Sequence, residues 1–198
     1  MNNESLPSKL ILASSSKYRS LLLQRLGIPF DCQAPEIDET AQDSELPSDL
    51  VGRLAEKKAA SISAQHPQAV VIGSDQLAVF NGQVIGKPGT YAAALEQLQS
   101  FSGQVVEFLT AVVVQCRDSG FAEQHTDCTR VSFRKLEFEE IERYLEKEKP
   151  FDCAGAFKAE SLGIVLFESI NSEDPTALIG LPMIRTASML RRAGLQLP

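Results

Sequence analysis

VVIGSDQLAVFNGQVIGKP, residues Val70 to Pro88, decides how the rest of the chain is read. Val70, Val71 and Ile72 form a short apolar run rich in β-branched side chains, the pattern of a buried strand. The sequence predicts that this strand ends in a small turn at Gly73-Ser74-Asp75-Gln76, with an acid and an amide at its mouth. Leu77 to Phe80 resume the strand pattern. Asn81-Gly82 is a strong hairpin signal, because a type I′ turn needs positive φ at both central residues. The return strand Val84-Ile85 delivers Gly86-Lys87-Pro88, and the hairpin is expected to bring Lys87 back toward Asp75. A carboxylate and an ammonium beside flexible backbone suit chemistry on a phosphate. The same residues also read as an ordinary hairpin with a surface acid and a surface lysine.

Outward from this hairpin, strands and helices interleave. Lys9 to Ala13 reads as a first strand, followed by Ser14-Ser15-Ser16 and a helix with Leu21, Leu22, Leu23 and Leu26 on one side, stopped at Gly27. A strand running through a serine turn into a helix is a phosphate-binding arrangement. Free N–H groups at the helix start point outward and the dipole favours an anion there. Ser14, Ser16 and Arg19 would add donors; the alternative is that a serine only caps the helix. Phe30 to Ala34 predicts a second strand, broken by Pro35. Glu36-Ile37-Asp38-Glu39 is an acidic loop, suited either to a hard cation such as Mg²⁺ or Mn²⁺ or simply to solvent.

Pro47 to about Ala64 predicts a helix whose apolar stripe is interrupted by Lys58, beside Lys57. One of these two lysines is expected to point into a site, although most helix lysines face water. Thr90 caps a third helix, with Ala94, Leu95, Leu98 and Phe101 inward and Gly103 at its end. Val105 to Cys116 is the longest strand candidate and is expected to be central in a sheet. A strand over Cys128 to Phe133, a helix over Glu139 to Lys147 and a strand over Leu162 to Ile170 follow. A last helix begins at Gly180-Leu181-Pro182, with Met183, Ile184, Ala187 and Leu190 on its core side. This is an α/β chain with a mixed sheet flanked by helices. It contains no GxxxxGK[ST] and no GxGxxG.

The bulk composition narrows the function classes. The chain has 198 residues, 43% hydrophobic and 23% charged, enough for one large domain or two small lobes with a sizeable core. The net charge of −7 argues against binding along nucleic acid, which needs a basic face, but leaves room for a small anionic substrate. No apolar run approaches the ~18 residues needed to span a bilayer. Residues 1–8 are polar and expected to fray, and MNNESLPSKL has no basic region followed by an apolar core. A cytoplasmic location without membrane attachment is the expectation. Cys32, Cys116, Cys128 and Cys153 form no CxxC pair and lie in no zinc-like spacing with His66 or His125, so buried free thiols are expected.

Several segments together resemble one family in order along nearly the whole chain. LILASSSKYR at Leu10 to Arg19 resembles the opening strand and S-x-S-x-x-R motif of the Maf nucleotide pyrophosphatases. Pro35 to Glu39, Leu54 to Ala59, Gly73-Ser74-Asp75, Gly86-Lys87-Pro88, Gly155-Ala156-Phe157, and Asp174-Pro175 to Gly180-Leu181-Pro182 match the same family. The resemblance implies one domain over residues 1–198, two lobes around one cleft, in an elongated Maf/Ham1-like (ITPase-like) α/β fold. It implies hydrolysis of nucleoside triphosphates between the α and β phosphates with a divalent metal (Mg, Mn or Co), and in many members a homodimer. Asp75 then resembles the proton acceptor that activates water. Ser14, Ser16, Arg19, Lys57 and Lys87 resemble phosphate contacts, and Glu36 a metal or water-positioning carboxylate.

Tyr18, Gln76, Glu160 and the segment CAGAFKAE at Cys153 to Glu160 resemble the branch that takes 7-methyl-GTP. The branch that takes dTTP and UTP has a basic residue, a threonine and a glutamine at the first three positions. Some relatives carry tryptophan where this chain has Tyr18. The expected activity is hydrolysis of 7-methyl-GTP to 7-methyl-GMP and pyrophosphate. A broader house-cleaning pyrophosphatase for modified nucleotides, and a nucleotide-binding regulator of cell division without turnover, stand beside it. The presence of Asp75, Glu36 and Lys87 together favours an enzyme, because binding alone does not require a base.

Overall fold

β3 runs unbroken from Val70 to Phe80 and replaces the turn expected at Gly73 to Gln76. The reason lies in packing. A Cβ at Gly73 would stand 2.3 Å from the Ala55 carbonyl oxygen and 2.6 Å from the Ala59 nitrogen of the helix packed on this face. Gly73 therefore serves close approach of strand and helix, a use of glycine that a local sequence reads equally as a turn. The hairpin does form, with Asn81 at φ 50° and Gly82 at φ 76°.

This is a computed structural model that describes residues 9–197; residues 1–8, expected to fray, lie outside that range, as does 198. Its elements are β1 (Leu10–Ala13), α1 (Lys17–Gln24), β2 (Asp31–Gln33), α2 (Pro47–Ser63), β3, β4 (Gln83–Ile85), α3 (Tyr91–Phe101), β5 (Val105–Cys116), β6 (Phe121–Phe133), α4 (Phe138–Glu148), β7 (Phe167–Asn171) and α5 (Met183–Arg192). The strands form a mixed sheet in the order β2-β1-β3-β5-β6-β7, with β4 paired to β3. β1 is parallel to β2 and β3, while β3–β4 and β6–β7 are antiparallel. Among the described residues, no helix is long and apolar enough to cross a membrane.

The chain divides into two compact units, one of residues 1–76, 110–127 and 174–198, the other of 77–109 and 128–173. In the first, Leu10, Leu12, Val70, Ile72, Val112 and Val114 share a core with Leu22 and Leu23 of α1 and with Met189 and Leu190 of α5. Ile11 and Val71, which alternate with these residues, are also fully buried, so both strands read as continuous apolar runs. The second unit has an aromatic core. Phe157 lies 4.8 Å from Phe167 and 5.1 Å from Phe108, and Phe101 lies 5.4 Å from Phe133, ring centre to ring centre.

Four local expectations are corrected. Leu21 is 58% exposed and Ile184 60% exposed, so α1 and α5 turn Leu22, Leu23, Thr186 and Met189 inward instead. β6 begins at Phe121, not Cys128, because its first half carries polar side chains that hide the strand period. Leu162 to Leu166 is a 3₁₀ turn, and only Phe167 to Asn171 is strand. Of the four cysteines only Cys116 is buried; Cys32 and Cys128 are exposed.

The contact at Gly73 gives a direct test. Gly73→Ala should destabilise the protein by about 3 kcal/mol, because the methyl meets helix backbone that cannot rotate away. Urea unfolding of the two proteins measures it. At exposed Gly86, where a Cβ meets nothing within 4 Å, the same change should leave the midpoint nearly unmoved.

Candidate active site

Helix α2 lays Leu54, Ala55, Lys58, Ala59 and Ile62 against the first unit's core. Lys58 sits at a stripe position, so its ammonium is carried inward and must find oxygen partners. It finds two. Nζ donates to Asp75 Oδ1 at 2.6 Å and contacts Glu39 Oε1 at 2.7 Å. The Lys58 and Asp75 side chains are each 10% exposed, so this pair is shielded from solvent, while Glu39 is 59% exposed and closes the pair from outside. Lys57, the neighbour singled out from sequence, is exposed on the same helix.

Glu39 reaches the lysine because its loop is latched. Arg53 of α2 donates to both carboxylate oxygens of Glu45, at 2.5 and 2.7 Å, and to the Thr40 carbonyl at 3.1 Å. The Arg53 hydrogen bond holds the Glu45 carboxyl down at about 2. Thr40 N donates to Asp38 Oδ1 at 2.9 Å, and the Thr40 side chain first, then this backbone bond, keep Asp38 below the ordinary carboxylate range. Glu36 stays exposed in this loop. The acid that meets the lysine is Glu39, three residues beyond the one chosen from sequence.

The serine turn builds a second wall within the same unit. Ser16 accepts from Arg19 N at 3.4 Å and caps α1, and Ser16 N donates to Ser14 Oγ at 3.1 Å. The first turn of α1 holds no acid, so the positive end of its dipole is uncompensated. Arg19 donates through Nε to the Gly180 carbonyl at 2.9 Å and through Nη1 to Ser14 at 3.4 Å. Burial lowers the Arg19 pKa, and the charges of Asp75 and Glu39 act against that shift. An arginine remains charged under such conditions. Capping and anion binding are therefore not alternatives here: Ser16 caps, and Ser14 with Arg19 remains beside the helix start. Tyr18 lies in that first turn, half-buried.

Gln76 turns inward. Its Nε2 donates toward Thr110 Oγ1 at 2.9 Å and toward the Ala177 and Leu178 carbonyls at 3.0 Å. Its amide hydrogens are thus spent on the protein and are not offered to a ligand. Ser74 Oγ donates to the Gly180 carbonyl at 3.1 Å, so β3 holds the Asp174–Gly180 loop at several points. Asp174 anchors the other end, with Oδ2 accepting from Ile184 N at 2.6 Å and Oδ1 from Thr176. Sequence showed this motif without the reason for it: Asp174 satisfies an otherwise unpaired N–H at the start of α5.

Lys87 and Glu160 belong to the second unit, and Glu160 is exposed. Among the described residues, no group of three or more His, Cys, Asp or Glu stands where it could hold a metal ion. The donor chemistry still fits a hard cation that shares its shell with a substrate. Mg²⁺ is commonly held by one or two carboxylates plus phosphate oxygens; Asp75 and Glu39 share the Lys58 ammonium between them, and Glu36 and Glu39 present exposed carboxylates in the acidic loop.

Comparison with known proteins agrees with the motif order. The family described as Maf-like protein matches residues 9–193. The chain is 51% identical to a protein of Albidiferax ferrireducens named 7-methyl-GTP pyrophosphatase, over 98% of each chain. It is 51% identical to one of the same name from Aromatoleum aromaticum, over 96% of this chain and 98% of the other. A third, from Xanthomonas axonopodis pv. citri, is 53% identical over 96% and 99%.

The thiols report on the second unit. Burial pushes the Cys153 thiol up to about 12, with Asp152 and Glu160 adding to the shift. A raised pKa leaves it protonated at neutral pH, and only the thiolate alkylates. Iodoacetamide at pH 8 should label exposed Cys32 and Cys128 about tenfold or more faster than Cys153, read by peptide mass spectrometry. Labelling of Cys153 should rise steadily with pH above that point.

Proposed function

The chain belongs to the Maf family, and on that premise we propose that it hydrolyses 7-methyl-GTP to 7-methyl-GMP and pyrophosphate. The observation that carries the chemistry is the shielded Asp75–Lys58 pair closed by Glu39, beside the Ser14, Ser16 and Arg19 turn. The near-full-length relatives supply the substrate class through their names.

The residues divide the work as follows. Asp75 accepts the proton of the attacking water, a role that needs a carboxylate ionised at neutral pH and held in place. Lys58 supplies the holding, through its 2.6 Å hydrogen bond to Asp75 Oδ1. Water forms a bond to phosphorus as the α–β bridging bond breaks, and the electron pair leaves with pyrophosphate. Arg19, Ser14 and the start of α1 offer donors to phosphoryl oxygens that gain charge in the transition state. Lys57 is assigned to the same polyanion as a further cation, and Lys87, in the second unit, is taken as a phosphate contact on the family resemblance alone. Glu36 of the acidic loop, with Glu39 beside it, would hold a divalent cation (Mg, Mn or Co) together with the triphosphate; when bound, such an ion neutralises charge on the phosphates. A soluble cytoplasmic enzyme, with a homodimer as its assembly, completes the reading.

On the family resemblance, base choice is assigned to Tyr18 in the first unit and, separately, to Glu160 in the second. The 7-methylated guanine is a cation at neutral pH. An aromatic face attracts a cation by ~0.5–2 kcal/mol, and a carboxylate accepts from the N1–H and the exocyclic amine while opposing the ring charge. Gln76 acts at one remove, since its amide holds the Ala177–Leu178 backbone.

A panel of 7-methyl-GTP, GTP, dTTP and UTP with released pyrophosphate as readout tests the proposal. Preference for 7-methyl-GTP and no free orthophosphate is the expected outcome; orthophosphate with a diphosphate product, or preference for dTTP or UTP, would sink it. Asp75→Asn should fold and lose about 10²-fold or more in turnover. Lys58→Met should lose more activity than Lys57→Met, and equal losses would remove Lys58 from the machinery. Full activity in chelator would remove the metal.

A further inference from the structure

We propose that Glu148 is a positioning residue: it locks the turn from Lys158 to Leu162 and so fixes the direction in which Glu160 is presented. The inference rests on the base-choice role given to Glu160 above. All of its residues lie within the second unit.

Glu148 is the last residue of α4. A carboxylate there faces the negative end of the helix dipole, an unfavourable place for it. Lys149 then takes the left-handed conformation, at φ 51°, and ends the helix. Glu148 is nonetheless tucked in, its side chain 11% exposed, and it is used in full. Oε2 accepts from Ser161 Oγ at 2.8 Å and from Leu162 N at 3.0 Å. Oε1 stands 3.6 Å from Lys158 Nζ. One carboxylate thus grips the turn before, after and at the start of the 3₁₀ segment, on both sides of Glu160 in sequence.

The turn also closes on itself. The Lys158 carbonyl accepts from Ser161 N at 3.3 Å and from Gly163 N at 3.0 Å. A Cβ at Gly163 would stand 2.4 Å from that carbonyl oxygen, so only glycine allows the closure. Phe157 on one side is held in the aromatic core and Leu166 on the other is fully buried. Between those anchors the chain would pivot as a small rigid loop, and Glu148 removes the pivot. Glu160 itself is exposed, as a residue awaiting a ligand must be. A loop held this firmly spends little freedom when its carboxylate meets a base, which is how preorganisation raises selectivity.

The bland account is that Glu148 only staples the fold. The two accounts differ in what they move. Four proteins are compared: wild type, Glu148→Gln, Glu148→Ala and Glu160→Gln, with kcat/KM measured on 7-methyl-GTP and GTP. Glu148→Ala should lower the 7-methyl-GTP to GTP ratio about tenfold, through KM for 7-methyl-GTP, with GTP turnover within about twofold of wild type. Glu148→Gln should fall between, since its amide oxygen still accepts from Leu162 N while the charge toward Lys158 is gone. In a Glu160→Gln background, Glu148→Ala should change the ratio no further. Hydrogen exchange should accelerate in peptides covering 158–163 and not elsewhere. Equal losses on both nucleotides, or unchanged exchange in 158–163, would overturn the proposal. A wild type without preference for 7-methyl-GTP, or a Glu160→Gln protein with unchanged ratios, overturns the base-choice reading instead, and the exchange result then stands alone.

Discussion

The first unit depends on one ammonium. Lys58 occupies a position in α2 where the helix period demands an apolar side chain, and its charge is made tolerable by Asp75 and Glu39. Breaking a buried pair by deleting one partner costs about 3–5 kcal/mol, because the surviving charge is left without compensation. Asp75 is therefore both held and hostage: the strand that carries it cannot drift from α2 without stranding the lysine. The absence of a side chain at Gly73 brings strand and helix close enough for the pair to form. Geometry and charge enforce each other across one small contact.

The Arg53–Glu45 latch shows how a flexible-looking acidic loop is given a definite shape. It is remote from Asp75 in sequence, yet it decides which acid of the loop meets Lys58. The Asp174–Gly180 loop is treated similarly. Gly180, at φ 122°, turns its carbonyl to Arg19 and Ser74, while Gln76 and Thr110 share the Ala177 carbonyl. The polar groups that line this part of the molecule are satisfied by one another, which keeps the arginine and the serines in fixed orientation.

Much of this was legible in sequence. The alternation of strands and helices, the Asn81-Gly82 hairpin, the Thr90 cap and the inner stripe of α2 follow from local pattern alone. What escaped has a common cause: it depends on which of several adjacent groups a distant element selects. Lys57 and Lys58 are chemically identical, and only the register of the helix separates them; the break in the apolar stripe was the available signal. Glu36 and Glu39 lie in one acidic run, and the choice between them is made by Arg53. Gly73 reads as a turn until α2 is placed over it. Gln76 reads as a ligand donor until the Ala177 and Leu178 carbonyls are found against it. The 3₁₀ segment at Leu162 to Leu166 has the apolar content of a strand, and its backbone is diverted by the turn that Glu148 caps.

Neither compact unit is a continuous stretch of chain. The first is assembled from residues 1–76, 110–127 and 174–198, and its core joins Leu10 and Leu12 to Leu190. On a ribosome β1 emerges well before α5, and it waits for that helix to be made. Until α5 arrives, the face of β1, β3 and β5 that it shares with α1 is covered only in part, and the serine turn lacks the loop that holds Arg19. Contacts so distant along the chain are slow to close and leave strand surface exposed meanwhile. Synthesis thus withholds the ordered site until α5 has been made, so a chain truncated before α5 has neither a closed first core nor an ordered place for the phosphate.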